Sequence, residues 1–298
     1  MGSSANQNNA AITEKQIEFF DVNGYLILKN VLDPAELEEL QAGSDLLVRE
    51  GNPKNPQLDY QYLPGTVSGD ITLKRIDYVV DKAPAFRILM GHPRILRAVE
   101  ALTSPDLIPT WDAMVFKMPY EGILKAWHRD AAVDFACDVP IFNVDFYLDK
   151  SDKDTAVWAI PGSHRWNHER AADYLGVETF DFPEAKPLYM QPGDVLFHEI
   201  RLLHASPLNT SPNLRRVIYY EFRTASVEIE HGPHTPEYIP LKQDLLRSCI
   251  ELRKDADYIP DDEVPYIYAP PCPFNEFKDL PPGGLTTYRY DHEDFWRG

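Results

Sequence analysis

The segment Phe142-Asn143-Val144-Asp145-Phe146-Tyr147-Leu148-Asp149 places Phe142, Val144, Phe146 and Leu148 at every second position. Successive side chains of a strand point to opposite faces, so this alternation specifies a β-strand with one face against a core. Other strand-like runs follow turn formers: Val195-Leu196-Phe197-His198 comes after Gln191-Pro192-Gly193-Asp194, and Arg215 to Phe222 comes after Pro207 to Asn213. Short strands between turn residues from position 109 onward argue for a β-sandwich or jelly roll. The first hundred residues read differently. Residues 12–20 and 34–50 have helical spacing, with Asp33 as N-cap before Pro34 at the first helical position. Residues 51–70 read as a loop, and 84–104 as one helix carrying Phe86, Leu89, Met90, Ile95, Leu96, Val99 and Leu102. No internal repeat is visible.

Within this frame, His128-Arg129-Asp130 and the distant His204 carry the chemistry. Two histidines and a carboxylate are the ligand set of a mononuclear non-haem iron(II) site, which leaves three positions of the octahedron for substrates. In an extended strand residues i and i+2 share a face about 7 Å apart, so His128 and Asp130 can converge on one ion. The third ligand can come from any strand that passes nearby, and His204, at the end of an apolar run, is a candidate for it.

The turn formers Pro207 to Asn213 and the strand from Arg215 suggest a hairpin that returns Arg215 beside His204 and Ser206. A guanidinium binds a carboxylate through two parallel hydrogen bonds, and a serine hydroxyl can add a third. A metal with a carboxylate clamp one strand away offers both handles needed by 2-oxoglutarate.

Four segments together resemble the phytanoyl-CoA dioxygenase superfamily of iron(II)/2-oxoglutarate oxygenases. They are Phe19 to Leu28 with Val31 to Leu37, Trp127-His128-Arg129-Asp130, Pro161-Gly162-Ser163-His164-Arg165, and Gly193 to Arg216. The order and spacing fit from about residue 12 to about residue 224, and nothing beyond about 225 is recognised. One departure is that His198 lies six residues before His204 where five occur in some relatives, which a β-bulge would absorb. The resemblance implies a mainly β chain with flanking helices, built as a double-stranded β-helix (a cupin-like jelly roll). It implies His128, Asp130 and His204 as iron(II) ligands, and Arg215 with Ser206 as the 2-oxoglutarate clamp. It further implies C–H oxidation by hydroxylation, desaturation, epoxidation or rearrangement, in the setting of secondary-metabolite biosynthesis.

Composition is compatible with one elaborated enzyme domain over 12–298, with 1–11 as a disordered lead-in. Residues 225–298, rich in Pro and Tyr with a helix expected at 241–254, read as an extension wrapping the barrel or a partner subunit, which leaves a homodimer open. No run spans a bilayer, and the first ten residues lack the basic and apolar regions of a secretory signal. Cys137, Cys249 and Cys272 form no zinc or disulfide pattern, so a reducing, cytoplasmic setting is expected. A net charge of −18 disfavours nucleic acid, anionic membrane and polyanionic substrates such as coenzyme A esters.

Other residues have plainer roles to play. His164 is expected to cap backbone in a loop, Arg216 to be a surface ion-pair donor, and His231, His234 and His292 to be surface groups. His198 is a lesser contender for the distal ligand than His204. The barrel mouth is expected to draw on Tyr60, Tyr62, Leu63, Val67, Ile76, Tyr78, Val133 and Phe135, suiting a small apolar or polycyclic metabolite. Tyr62, Arg75, Tyr78 and Phe135 are the candidate substrate residues, with Trp111 and Trp158 as further aromatics, and Arg75 could anchor a substrate carboxylate. Two other readings stay open: a metalloenzyme with the same triad but no 2-oxoglutarate (an isomerase or oxidase), and a non-catalytic jelly-roll module.

Overall fold

The structure, a computed structural model, describes residues 12–131, 139–232, 234 and 238–271. Val133, Phe135, Cys137, Cys272, His292, the lead-in 1–11 and the last part of the C-terminal extension lie outside the described residues.

Two antiparallel sheets form a jelly roll. The larger runs β1 (Tyr25–Leu28), β9 (Val195–Glu199), β6 (Phe142–Tyr147), β11 (Arg215–Thr224), β4 (Leu107–Lys117), β3 (Ile71–Asp77), β2 (Tyr60–Pro64). The smaller runs β5 (Lys125–His128), β10 (His204–Ser206), β7 (Val157–Ala159), β8 (Lys186–Leu188). The expected hairpin between His204 and Arg215 does not form: β10 and β11 lie in different sheets, so the turn formers carry the chain from one layer to the other. Lys117 spans the layers, its Nζ reaching Ser206 O at 3.3 Å. β9 stays in register with β6 throughout, so the extra residue before His204 is not absorbed by a bulge there. The irregularity where β10 meets β5 lies between His204 and Ser206, beyond that residue.

The alternation of residues 142–149 appears as expected. Phe142, Val144, Phe146 and Leu148 are fully buried in the main core, which joins the large sheet to helices α2 (Pro34–Glu50), α3 (Pro84–Met90) and α4 (Pro93–Leu102). Each such apolar side chain contributes roughly 1.5–3 kcal/mol by leaving water. The opposite face of β6 therefore looks into the barrel. Directly paired residues share a face, so the inward positions are Asn143, Asp145 and Tyr147 on β6. On β9 they are Leu196 and His198; on β11, Arg215, Val217, Tyr219 and Glu221; on β4, Trp111, Ala113, Val115 and Lys117; and on β3, Arg75 and Asp77.

Several sequence expectations change. The helix expected over 84–104 breaks at Gly91-His92-Pro93, because a proline ring disfavours helix in the residue before it. The expected loop 51–70 contains edge strand β2. Helix α1 (Glu14–Asn23) opens on a Thr13 capping box, whereas Asp33 before α2 makes no side-chain cap bond. In the C-terminal region α6 (Ala225–His231) was not foreseen, and α7 (Tyr238–Lys254) starts three residues earlier than expected.

A closed ring of contacts ties these last helices to the barrel. Arg223 binds Glu221 and Glu228; Glu228 accepts from His234 Nδ1 at 2.6 Å; the His234 ring stacks on Tyr238 at 3.6 Å. Tyr238 donates to Thr110 O at 2.5 Å, and Thr110 Oγ1 donates back to Glu221. His234, expected at the surface, instead has its side chain buried at 4% exposure, although the residue as a whole is half-buried. Arg216, expected as a surface donor, is also buried, with Nε and Nη2 on Asp149 and Nη1 on Asp45. It sits on the helix side of β11, where the strand is covered.

Candidate metal and cosubstrate site

His128 and His204 are direct neighbours across β5 and β10, with ring centroids 4.1 Å apart. Each ring is oriented the same way. Nδ1 of His128 donates to Ala126 O and Nδ1 of His204 to Leu202 O, both at 2.9 Å. That bond fixes the tautomer and leaves the Nε2 lone pair for a metal. β5 ends at His128, so Asp130 lies in the bend beyond it, held by its backbone N–H on Ile200 O at 2.8 Å. Its Oδ1 is 3.5 Å from His128 Nε2 and 3.7 Å from His204 Nε2. One ligand atom from each of the three residues lies within 4.8 Å of the others, the only such group of metal-binding side chains among the described residues. Burial and the neighbouring His128 push His204 down to about 3, so its imidazole is neutral, as a ligand must be. Burial raises the Asp130 carboxyl, yet His204 and the His128 and His198 contacts hold it well below the usual carboxylate range. The donor set of two neutral imidazoles and one carboxylate fits iron(II).

The next residue along also has a task. Arg129 Nη2 donates to Ser163 O and Trp166 O at 2.8 and 2.7 Å, and Ser163 Oγ accepts from Leu203 N at 2.8 Å. The Pro161–Arg165 segment therefore braces the strand that carries His204. His164 caps backbone as expected, its Nε2 bonding Asp21 O at 3.0 Å. It packs so tightly against Gly24 that an added Cβ there would lie 2.5 Å from the ring.

Deeper in the barrel, Arg215 is 2% exposed and its Nε and Nη1 have no partner. The hydroxyl of Tyr147, which lies close enough to feel the Arg215 charge, is likewise unpartnered. A buried guanidinium with N–H groups to spare fits a carboxylate arriving from outside. Ser206 is not on a strand paired with Arg215, but Lys117, directly opposite Arg215 on β4, bonds the Ser206 carbonyl. Arg215 and Ser206 are therefore linked through one residue.

His198 is not a member of the ligand cluster. Its Nδ1 faces Asp145 Oδ2 at 2.8 Å and its Nε2 faces Asp130 Oδ2 at 3.0 Å. Burial opposes its charge, but Asp145 and Asp130 raise it to about 10. Asn143 also donates to Asp130 Oδ2, at 2.9 Å. Sequence reading missed Asn143 and Asp145, although their signal was present as the polar half of the β6 alternation.

The substrate candidates separate. Arg75 faces the barrel interior, pairs with Asp77 at 2.9 Å and lies over Trp111 at 5.3 Å. Tyr62 is not brought to the site: it lies two residues from Tyr60, which pairs with the buried Ile76, so both share the face of β2 turned toward the helical core. Tyr78, with a left-handed backbone at φ 56°, bonds Asp112 O through its N–H and opens a short 3-10 turn. Trp158 packs in a separate cluster with Trp127 and Phe180.

A jelly roll carrying two imidazoles and a carboxylate together with a buried arginine whose Nε and Nη1 have no partner defines the class of non-haem iron(II)/2-oxoglutarate oxygenases. The phytanoyl-CoA dioxygenase (PhyH) family profile matches residues 20–217, and the chain belongs to that family. Among relatives, the peroxisomal phytanoyl-CoA dioxygenase of Bos taurus is 23% identical over 247 residues, covering 74% of this chain and 71% of its own. Among solved structures, AviO1 from Streptomyces viridochromogenes is 26% identical with a TM-score of 0.60, covering 72% of this chain and 95% of its own. EctD from S. alaskensis with bound Fe is 20% identical with the same TM-score of 0.60, over 74% and 79%.

Proposed function

We propose that this enzyme oxidises an unactivated C–H bond of a small metabolite, with iron(II) held by His128, Asp130 and His204 and 2-oxoglutarate held at its distal carboxylate by Arg215 and Ser206. The observation that carries this reading is the convergence of three ligand atoms within 4.8 Å beside a buried arginine with two unpartnered N–H groups. The arginine also favours this reading over a metalloenzyme without 2-oxoglutarate or a binding module.

Bound iron(II) with 2-oxoglutarate and dioxygen would supply the oxidising power, the cosubstrate leaving as succinate and carbon dioxide. The chain's own residues have three tasks in it. His128 and His204 present oriented lone pairs, Arg215 fixes the far end of the cosubstrate, and the buried interior keeps water from the reacting atoms.

For the substrate we favour a ring-bearing metabolite of low charge over a coenzyme A ester. The net charge of −18 supports this, as does Trp111 on the interior face. The small apolar or polycyclic metabolite expected from sequence keeps less of its basis, since Tyr60, Tyr62 and Ile76 pack on the helical side and Val133 and Phe135 lie outside the described residues. The Arg75–Asp77 pair adds polar groups to the interior face instead. The buried free thiol of Cys249 is in keeping with a reducing cytoplasm.

Substrate-dependent succinate release, screened over cyclic metabolites, amino acids and acyl-CoA thioesters, tests both parts. No succinate with any compound and no iron binding would end the oxygenase reading. Turnover of thioesters alone would end the substrate reading.

A further inference from the structure

The two oxygens of Asp130 face different partners. Oδ1 looks toward Nε2 of His128 and His204 at 3.5 and 3.7 Å. Oδ2 accepts from Asn143 Nδ2 at 2.9 Å and from His198 Nε2 at 3.0 Å. Behind His198, Asp145 Oδ2 takes the other ring nitrogen at 2.8 Å. A carboxylate only accepts, so both nitrogens of His198 must donate, and neither keeps a lone pair for a metal. His198 is thereby set apart from His128 and His204, although its ring centroid is 4.9 Å from that of His204.

The arrangement is built into the large sheet. Asn143 and His198 are direct partners across β6 and β9, and Asp145 is two residues along β6 on the same face. Asn143, Asp145 and His198 are 3%, 1% and 4% exposed, so water cannot readily replace these bonds.

A carboxylate can bind a metal through one oxygen or two. With two imidazoles, bidentate binding by Asp130 would fill four positions of an octahedron and leave two. A chelating keto acid and dioxygen need three. We propose that His198 and Asn143 are positioning residues that occupy Oδ2, hold Asp130 to coordination through Oδ1 alone, and so keep open a position that the cosubstrate and dioxygen need. This rests on the metal site proposed above. Asp145 contributes at one remove by fixing the plane of the His198 ring.

The test compares His198→Leu, His198→Gln and Asn143→Ala with the wild-type chain, without dioxygen. Three quantities are read for each: affinity for iron(II) alone, affinity for 2-oxoglutarate from the visible band of the metal–keto acid complex, and melting temperature. The leucine and alanine variants should keep iron(II) affinity within a few-fold while 2-oxoglutarate binding weakens by roughly tenfold or more, the scale seen for outer hydrogen bonds at metal sites. His198→Gln, whose amide can place an N–H near the Nε2 position, should recover most of that loss. The cobalt(II)-loaded variants should report the second oxygen as a change in visible band intensity. Should His198→Leu fail to fold, Asn143→Ala against His198→Gln still decides. Wild-type 2-oxoglutarate binding in Asn143→Ala and His198→Leu would overturn the proposal. So would parallel losses of iron, cosubstrate and melting temperature, which indicate a structural role only. Absence of iron binding by the wild-type chain would instead count against the metal site itself.

Discussion

His128 and His204 face each other across β5 and β10, and each donates Nδ1–H to the carbonyl two residues earlier in its own chain segment. Both Nε2 atoms are thus aimed before any metal arrives. Replacing either ring with alanine removes a ligand outright and should weaken iron(II) binding by roughly a hundredfold or more, far beyond the few-fold change expected of the His198 and Asn143 variants. Anaerobic iron(II) titration in the presence of 2-oxoglutarate checks it; full binding by His128→Ala would remove that residue from the ligand set.

Arg215 and Arg216 should behave oppositely. Arg215→Ala removes a charge-assisted, two-pronged contact worth about 2–4 kcal/mol, so the apparent KM for 2-oxoglutarate should rise roughly a hundredfold. Its melting temperature should hold, because two of its N–H groups have no partner in the fold. Arg216→Ala should leave KM nearly unchanged and cost about 1–3 kcal/mol of stability through its bonds to Asp149 and Asp45. Steady-state kinetics and thermal melts of both variants decide between them.

Gly24→Ala should destabilise by about 1–3 kcal/mol. Its φ is 77°, a left-handed value, and the new Cβ would meet the His164 ring. A denaturant midpoint equal to that of the wild type would refute the close approach.

His164 should make stability depend on pH. Burial pushes it down to about 4 in the fold, against about 6.5 unfolded. Between those values the unfolded chain binds the extra proton. Its contribution is therefore complete above about pH 6.5 and is lost as pH falls toward 4, on the order of 2–3 kcal/mol. His164→Gln should flatten the pH 4–6.5 part of the stability curve, measured by denaturant unfolding; an unchanged slope would assign the effect elsewhere.

Some of this was legible in the sequence for clear reasons. The period-two pattern of 142–149 depends only on strand geometry, so it placed Phe142, Val144 and Phe146 correctly. The same pattern held Asn143 and Asp145 on the opposite face, but polarity alone does not tell a solvent-facing residue from one facing a barrel interior. The His204–Arg215 connection misled because turn formers signal reversal without saying whether the returning strand joins the same sheet. Arg216 looks like a surface group in sequence because its burial depends on a partner 171 residues away, Asp45, and His234 because its cover comes from the fold of the α6–α7 connection, where Glu228 and Tyr238 close on its ring. Tyr62 escapes sequence reading because period-two alternation does not say which face of β2 meets the core, and the pairing of Tyr60 with Ile76 settles that only in the fold.

The ring through Glu221, Arg223, Glu228, His234, Tyr238 and Thr110 separates two boundaries that are easily taken for one. The family pattern stops at residue 217, inside β11, yet Arg223 further along that strand is 1% exposed and answered by a glutamate on α6. Glu228 in turn is met by His234, and His234 by the first residue of α7. A chain cut to the family pattern would lose the second half of β11 with Arg223, and one cut at the end of α6 would strip His234 from the buried Glu228 and Tyr238 from the Thr110 carbonyl. Grafting this barrel onto another protein would consequently mean carrying the whole of β11 together with α6 and α7.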